Sequence, residues 1–137
     1  MSSENIMRLF NECVTGGKIR PKLKVVVKTS SYTITSADFG SVFTTRGATG
    51  AITFTLPAAS SVNKGSWVLF ASVANQNMII AGADEEIVAM NDLTADSVAF
   101  QTASEKIGGM FLAISDGTSW AVVPFATETQ TVTVAST

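Results

Sequence analysis

The sequence predicts an all-β protein, an antiparallel β-sandwich or barrel-like body preceded by a short N-terminal helix and an extended basic arm. Between residues 31 and 124, short segments of alternating apolar and polar residues are separated by Gly, Pro, Asn and Asp, which is typical of strands and turns. The chain has 137 residues, enough for one domain whose core needs neither disulfides nor metals. We predict an attachment arm at residues 1–28 and a β-body at residues 29–137.

The arm is predicted to begin with a short helix. Its apolar residues recur at helical spacing: Ile6, Leu9, Phe10 and Cys13. Because Gly16 and Gly17 end the segment, the helix at 3–13 is too short to be stable alone and needs a surface to pack on. From Lys18 to Val25 basic and apolar residues alternate, so an extended arm would carry its charges on one side.

The first half of the body is predicted to contain strands at 29–35, 51–57 and 66–74, with a turn at 36–43 and loops at 44–50 and 59–65. Residues 25–27 also favour a strand, because valine fits the pleated sheet. Segment 51–57 has the clearest alternation, with Ile52, Phe54 and Leu56 on one face. Segment 66–74 is apolar on both faces, which places it centrally in the fold or at a contact between subunits.

In the second half, strands are predicted at 78–82, 107–115 and 119–125. A tight turn at Asp116–Gly117 joins the last two. Segment 83–103 is less clear and predicts a hairpin, with turns near Asp84–Glu85 and Asn91–Asp92. The tail from residue 129 alternates valine with threonine, and we interpret it as an edge strand or one exchanged between subunits. About eight to ten strands of this kind are typical of a sandwich or barrel.

The residue inventory argues against an enzyme. The chain has no histidine, which is the commonest general base and metal ligand. Cys13 is the only cysteine, and a thiolate nucleophile would lack the histidine that usually activates it. The acidic residues between 84 and 96 do not match a calcium-loop spacing and predict a solvated loop. We expect no catalytic residue, no cofactor and no metal. The aromatic residues are expected in the core, with the alternative that Trp120 belongs to a sugar-binding surface.

The charges divide the chain into a basic arm and an acidic body. Residues 1–28 carry six basic and two acidic side chains, a net charge of +4, whereas the remainder carries three and nine, a net charge of −6. The arm has few aromatic residues and too few basic ones for nucleic acid, so an acidic protein surface is the expected partner. Neither an apolar run long enough to span a membrane nor a secretory signal is apparent.

The order of motifs within residues 31–124 resembles a small β-module of tailed-bacteriophage virion proteins. The motifs are YTIT followed by DFG, then ITFTLPAA, KGSWV and DGTSWAVV. Modules of this kind occur in head-decoration (cement) proteins, head fibres and tail fibres. The resemblance implies a homotrimer that is made in the host cytoplasm, binds the major capsid protein at the capsid surface of the virion and staples neighbouring capsid subunits. The alternative it implies is a fibre module that binds a host-surface glycan.

Two sets of contact residues follow from this interpretation. Contacts of the arm with the capsid are predicted for Arg8, Phe10, Lys18, Arg20, Lys22 and Lys24. Contacts between copies are predicted for Trp67, Leu69, Val132 and Val134.

Overall fold

The computed structural model describes residues 22–136, and the fold of this part is all-β, as predicted. The helix predicted at 3–13, and the arm as far as residue 21, lie outside the described residues. Within the described part there is no helix long and apolar enough to cross a membrane. The strands are β1 (Lys24–Val27), β2 (Tyr32–Thr33), β3 (Ser41–Thr44), β4 (Ile52–Thr55), β5 (Trp67–Ala71), β6 (Met78–Ala81), β7 (Ile87–Ala89), β8 (Asp92–Ala95), β9 (Ser97–Phe100), β10 (Met110–Ser115), β11 (Trp120–Phe125) and β12 (Thr133–Ala135), with short 3-10 turns at Ser36–Asp38 and Ala59–Ser61.

The two sheets are mixed, which corrects the prediction of an antiparallel body. One sheet has seven strands in the order β1-β3-β5-β10-β11-β7-β8, and the other has five in the order β12-β9-β6-β4-β2. Strands β1, β3 and β5 are parallel neighbours in the first sheet, and β2, β4 and β6 are parallel neighbours in the second. Consecutive strands from β1 to β6 therefore alternate between the sheets. Two parallel neighbours in one sheet must be joined by a crossover connection. Here each such connection between β1 and β6 passes through one strand of the other sheet.

The core lies between the two sheets and is rich in aromatic side chains. Phe54 of the five-stranded sheet contacts Phe70 of the seven-stranded sheet, with ring centroids 4.8 Å apart. Phe100 and Phe111 join the sheets in the same way at 4.4 Å. All four rings are fully buried, and each contributes about 1.5–3 kcal/mol by leaving water. The predicted alternation in β4 is confirmed, since its inward side chains are buried.

Among the local predictions, two differ from the structure and one is confirmed to within a residue. The end of the turn predicted at 36–43 and the start of the loop predicted at 44–50 instead form β3 (Ser41–Thr44), an interior strand of the seven-stranded sheet. The hairpin predicted within 83–103 is confirmed: a turn at Met90 and Asn91 joins β7 to β8, one residue from the predicted position. Both residues have positive φ, the backbone that a two-residue type I′ turn requires. The connection after β10 has four residues, because Ser115 pairs directly with Trp120.

The strands predicted from apolar composition hold the expected positions. Segment 66–74 contains β5, which lies between β3 and β10 in the interior of its sheet. The tail contains β12, which pairs with β9 at the edge of the five-stranded sheet. The edge interpretation of the tail is therefore confirmed.

Candidate docking surface

The outward side of the seven-stranded sheet is apolar across five adjacent strands. In β5, Val68 and Phe70 point into the core, so Trp67, Leu69 and Ala71 point outward by strand alternation. The same alternation applies to the neighbouring strands β1, β3, β10 and β11. We call the outward side chains of these five strands the apolar face.

Strand register aligns the apolar face in rows that run across the sheet. The central row contains Val25, Val42, Leu69, Leu112 and Val123, each directly opposite the next. A second row contains Val27, Thr44, Ala71, Met110 and Phe125. A third, shorter row contains Trp67, Ile114 and Ala121. Thr44 is the one polar residue in these rows.

Part of the apolar face is exposed to water. Val25 is 59% exposed, Phe125 is 52% exposed and Val123 is 44% exposed. With strands about 4.8 Å apart and outward residues about 6.8 Å apart along each strand, the face measures about 24 Å by 20 Å, or roughly 480 Å². Val42, in the central row, is buried by its neighbours, so this figure is the footprint of the face and not its exposed area. The largest apolar patch on a typical monomer covers about 300–600 Å² and is often a functional site.

Two shallow grooves lie on this side of the sheet. One, of about 410 Å³, is lined by Leu23, Gly65, Trp67, Leu69, Leu112 and Ile114. The other, of about 540 Å³, lies between β11 and the β7–β8 hairpin. Val123 belongs to both the central row and this second groove. The hairpin adds two exposed apolar residues, Met90 and Leu93, so the apolar surface continues beyond β11.

The outward side of the five-stranded sheet has a different chemistry. The hydroxyl-bearing residues at its outward positions are Thr33, Thr53, Thr55, Ser97 and Thr133. Ile79 and small alanines lie between them. Such a surface is typical of a sheet with one face in water. The apolar outward residues are therefore a property of one sheet and not of the whole surface.

The sequence predicted part of this surface. Trp67 and Leu69 lie side by side on the apolar face, partly buried by their neighbours. Val132 and Val134 instead lie at the five-stranded sheet, where they pack against the core of their own chain. The outward residues of β10 and β11 were not singled out. Segment 107–115 is apolar on both faces, as 66–74 is, and that signal could have identified β10.

The predicted arm residues are described only in part. Lys22 and Lys24 are exposed, and Lys24 opens β1 at the edge of the seven-stranded sheet. The other predicted capsid contacts lie outside the described residues, namely Arg8, Phe10, Lys18 and Arg20.

Trp120 does not form a sugar-binding surface. Its side chain is fully buried, and its indole Nε1 donates a hydrogen bond to the carbonyl oxygen of Pro57 at 2.7 Å. The ring of Phe39 lies 5.9 Å away. Trp120 thus fixes the loop after β4 to the start of β11, and its role is structural.

Asp84 and Glu85 are exposed, as a solvated loop predicts, whereas acidic side chains next to them accept backbone hydrogen bonds. Glu86 accepts the backbone N–H of Ala59 at 2.9 Å, and Asp96 accepts that of Glu85 at 2.8 Å. Asp116 accepts two backbone N–H groups at 2.8 Å, from Thr118 and Ser119, and these bonds lower the pKa of its carboxyl group. Residues 22–136 contain no group of three side chains suited to hold a metal ion.

Comparison with protein-family models gives no match for this chain, and comparison with curated protein sequences gives none either. The function is therefore argued from the apolar face and from the charge distribution.

Proposed function

We propose that the protein is a non-enzymatic structural protein that works by assembling with other copies and with a larger shell. The observation that supports this proposal is the apolar face, in which two rows run across five strands and a third across three, without a charged side chain. Burying such a surface against another chain is favourable by about 25 cal/mol per Å². The hydroxyl-bearing side of the other sheet would remain in water.

The kind of shell follows from the motif order and the charges. The resemblance to phage virion modules covers residues 31–124, and the arm before them has a net charge of +4. We propose a head-decoration protein that forms a homotrimer on the capsid surface, with Trp67 and Leu69 among the contacts between copies. The basic side chains of the arm would contact the major capsid protein. The added contacts across several subunits would stabilise the shell, since binding to the assembled state alone shifts the equilibrium towards it.

Labelling of intact virions tests this proposal. Gold-tagged antibody to this chain is applied to particles from the lysate that produces it, and the particles are imaged by electron microscopy. Gold distributed over the heads is the expected result. Gold confined to tails or fibres would replace the decoration role by the fibre alternative, and particles without gold would overturn a role in the virion.

A further inference from the structure

Strand β1 forms one edge of the seven-stranded sheet, and the chemistry of this edge indicates what it binds. We propose that an extended segment of another protein, in which acidic residues alternate with apolar ones, adds to β1 as a further strand of the sheet. Backbone hydrogen bonds would hold such a segment, and its side chains would set the specificity. The proposal deepens the contact with the shell and rests on the proposed function only for the identity of the protein that supplies the segment.

The backbone of β1 is paired on one side only, with β3, among the described residues. The N–H of Lys28, directly after the strand, donates to the carbonyl oxygen of Thr44 in β3 at 2.9 Å. Because successive residues of a strand direct their backbone groups to opposite sides, Val25 and Val27 direct theirs away from β3. Their N–H and C=O groups therefore lie at the open edge, where an added strand forms its hydrogen bonds.

The other three sheet edges in the described part of the chain are shorter or already occupied. Strand β2 has two residues and β12 has three. At β8, the hydroxyl of Ser136 donates to Asp92 Oδ2 at 2.9 Å, and Asp92 Oδ1 accepts the backbone N–H of Thr94 at 2.9 Å. Short strands and covered edges both hinder the addition of a strand. Strand β1, with four residues, is thus the edge best suited to receive one.

The charges beside β1 favour an acidic partner. Residues 22–28 contain three lysines and no acidic residue. Lys24 and Lys28 are an even number of residues apart, so both side chains lie on the same side of the strand. Lys24 is exposed, and the ammonium group of Lys28 lies 3.8 Å from the centre of the Tyr32 ring, which holds this charge next to the edge.

The opposite side of the same strand is apolar. Val25 is 59% exposed and Val27 is 53% exposed, and both belong to the apolar face. Directly opposite side chains of neighbouring strands interact. A strand with carboxylates opposite Lys24 and Lys28, and with apolar residues opposite the two valines, would therefore complement both sides of β1 and extend the apolar face.

The same lysines argue against a second copy of β1 as the added strand. When two antiparallel copies use the open backbone groups of both valines, Val25 of one copy lies opposite Val27 of the other. This register places Lys24 opposite Lys28 at both ends of the pair. Like charges directly opposite each other destabilise a strand pair, so the edge favours an acidic strand over its own copy.

A peptide with the matching pattern tests the proposal. The probe is Ser-Val-Glu-Val-Thr-Val-Glu-Val-Ser, which has the same pattern in both directions, and the control peptide carries lysine in place of both glutamates. Each is added to the full-length chain, and solvent exchange of the backbone amides is measured by NMR. Val27→Pro removes an open N–H and keeps the hydrogen bonds to β3, since proline is tolerated at a sheet edge. Lys24→Glu reverses a charge beside the edge, and Lys64→Glu, at another exposed lysine, is its matched control.

We expect the acidic peptide, and not the lysine peptide, to slow exchange at the amides of Val25 and Val27. Lys24→Glu should weaken the binding about fivefold, because an attractive cross-strand pair becomes a repulsive one. Lys64→Glu should leave the binding unchanged. Val27→Pro should abolish it, because the added strand loses a backbone donor and meets the proline ring.

Exchange at these two amides that the acidic peptide leaves unchanged in folded protein would overturn the proposal. Slow exchange without peptide would also overturn it: dependence on protein concentration would assign the edge to a second copy, and independence would assign it to the same chain. Gold on virion heads without peptide binding would refute the edge site alone. Peptide binding without gold on any particle would refute the decoration role alone.

Discussion

A single lysine on the apolar face should separate the role of this surface from the stability of the fold. Val123 lies in the central row opposite Leu112, and 44% of it is exposed in the isolated chain. Since full burial of a valine is worth about 1.5–3 kcal/mol, assembly would bury the exposed part for about 1 kcal/mol. In Val123→Lys that gain is lost.

The introduced ammonium group adds a desolvation cost. The rows of the apolar face contain no carboxylate to pair with it. Burying an unpaired uncharged polar group costs about 1–3 kcal/mol in proteins, and an unpaired ammonium group costs at least as much. Together the two effects amount to at least about 2 kcal/mol per contact, which corresponds to roughly a 30-fold weaker association. The isolated chain should tolerate the change within about 0.5 kcal/mol, as exposed positions usually do.

Sedimentation velocity over a series of concentrations measures the association, and thermal unfolding measures the fold. Thr53→Lys is the matched control, because Thr53 points outward from the other sheet. We expect Val123→Lys to shift the oligomer towards monomer and Thr53→Lys to leave it unchanged. Equal dissociation constants for Val123→Lys and the unaltered chain, with both folded, would refute a role of the face in assembly.

Three further predictions concern the body. Trp120→Phe removes the hydrogen-bond donor to the Pro57 carbonyl and should lower the free energy of unfolding, measured by urea denaturation, by about 1–3 kcal/mol. An unchanged free energy of unfolding would mean that a water molecule donates to this carbonyl in place of the indole. Gly109→Ala places a Cβ 2.6 Å from the Phe100 ring and should lower the free energy of unfolding by about 1–3 kcal/mol. Gly50→Ala is the control, because a Cβ there meets open space and should leave the free energy of unfolding nearly unchanged. Equal decreases in the two variants would contradict the packing of Gly109 against Phe100. Hydrogen bonds lower the pKa of Asp116 in the folded protein, so its carboxylate stabilises the fold above the unfolded pKa of about 3.9 and this contribution is lost as the pH falls through the folded pKa. The temperature of the unfolding midpoint should therefore decrease less between about pH 5 and pH 2 in Asp116→Ala than in the unaltered protein. Equal decreases in the two proteins would exclude this contribution.

The sequence predicted the strands that carry a strong local pattern. Alternation identified β4, and apolar residues on both faces placed β5 in the sheet interior. The parallel pairing of β1 to β6 could not be predicted in the same way, because a strand's own residues do not identify its partner. Strand β3 was taken as a turn because Gly40 and the preceding polar residues dominate the local signal.

The candidate surface was predicted only at Trp67 and Leu69. Its extent depends on register, which places Leu69 opposite Leu112 although the two are far apart in the chain. Periodicity shows which side chains share a face of one strand. It does not show which strands lie beside each other, so the rows appear only once the sheet is assembled.

The alternation of strands between the sheets has a consequence for how the chain folds. Each parallel contact from β1 to β6 joins strands separated by another strand, and β5 completes its pairing only with β10. The β10–β11 hairpin is the longest local pairing in the described part of the chain. We expect folding to begin from this hairpin and to proceed towards the N-terminus, slowly, as contacts between distant residues require. In this order of folding, β1, the edge strand farthest from β10 on that side of the sheet, would join the seven-stranded sheet last.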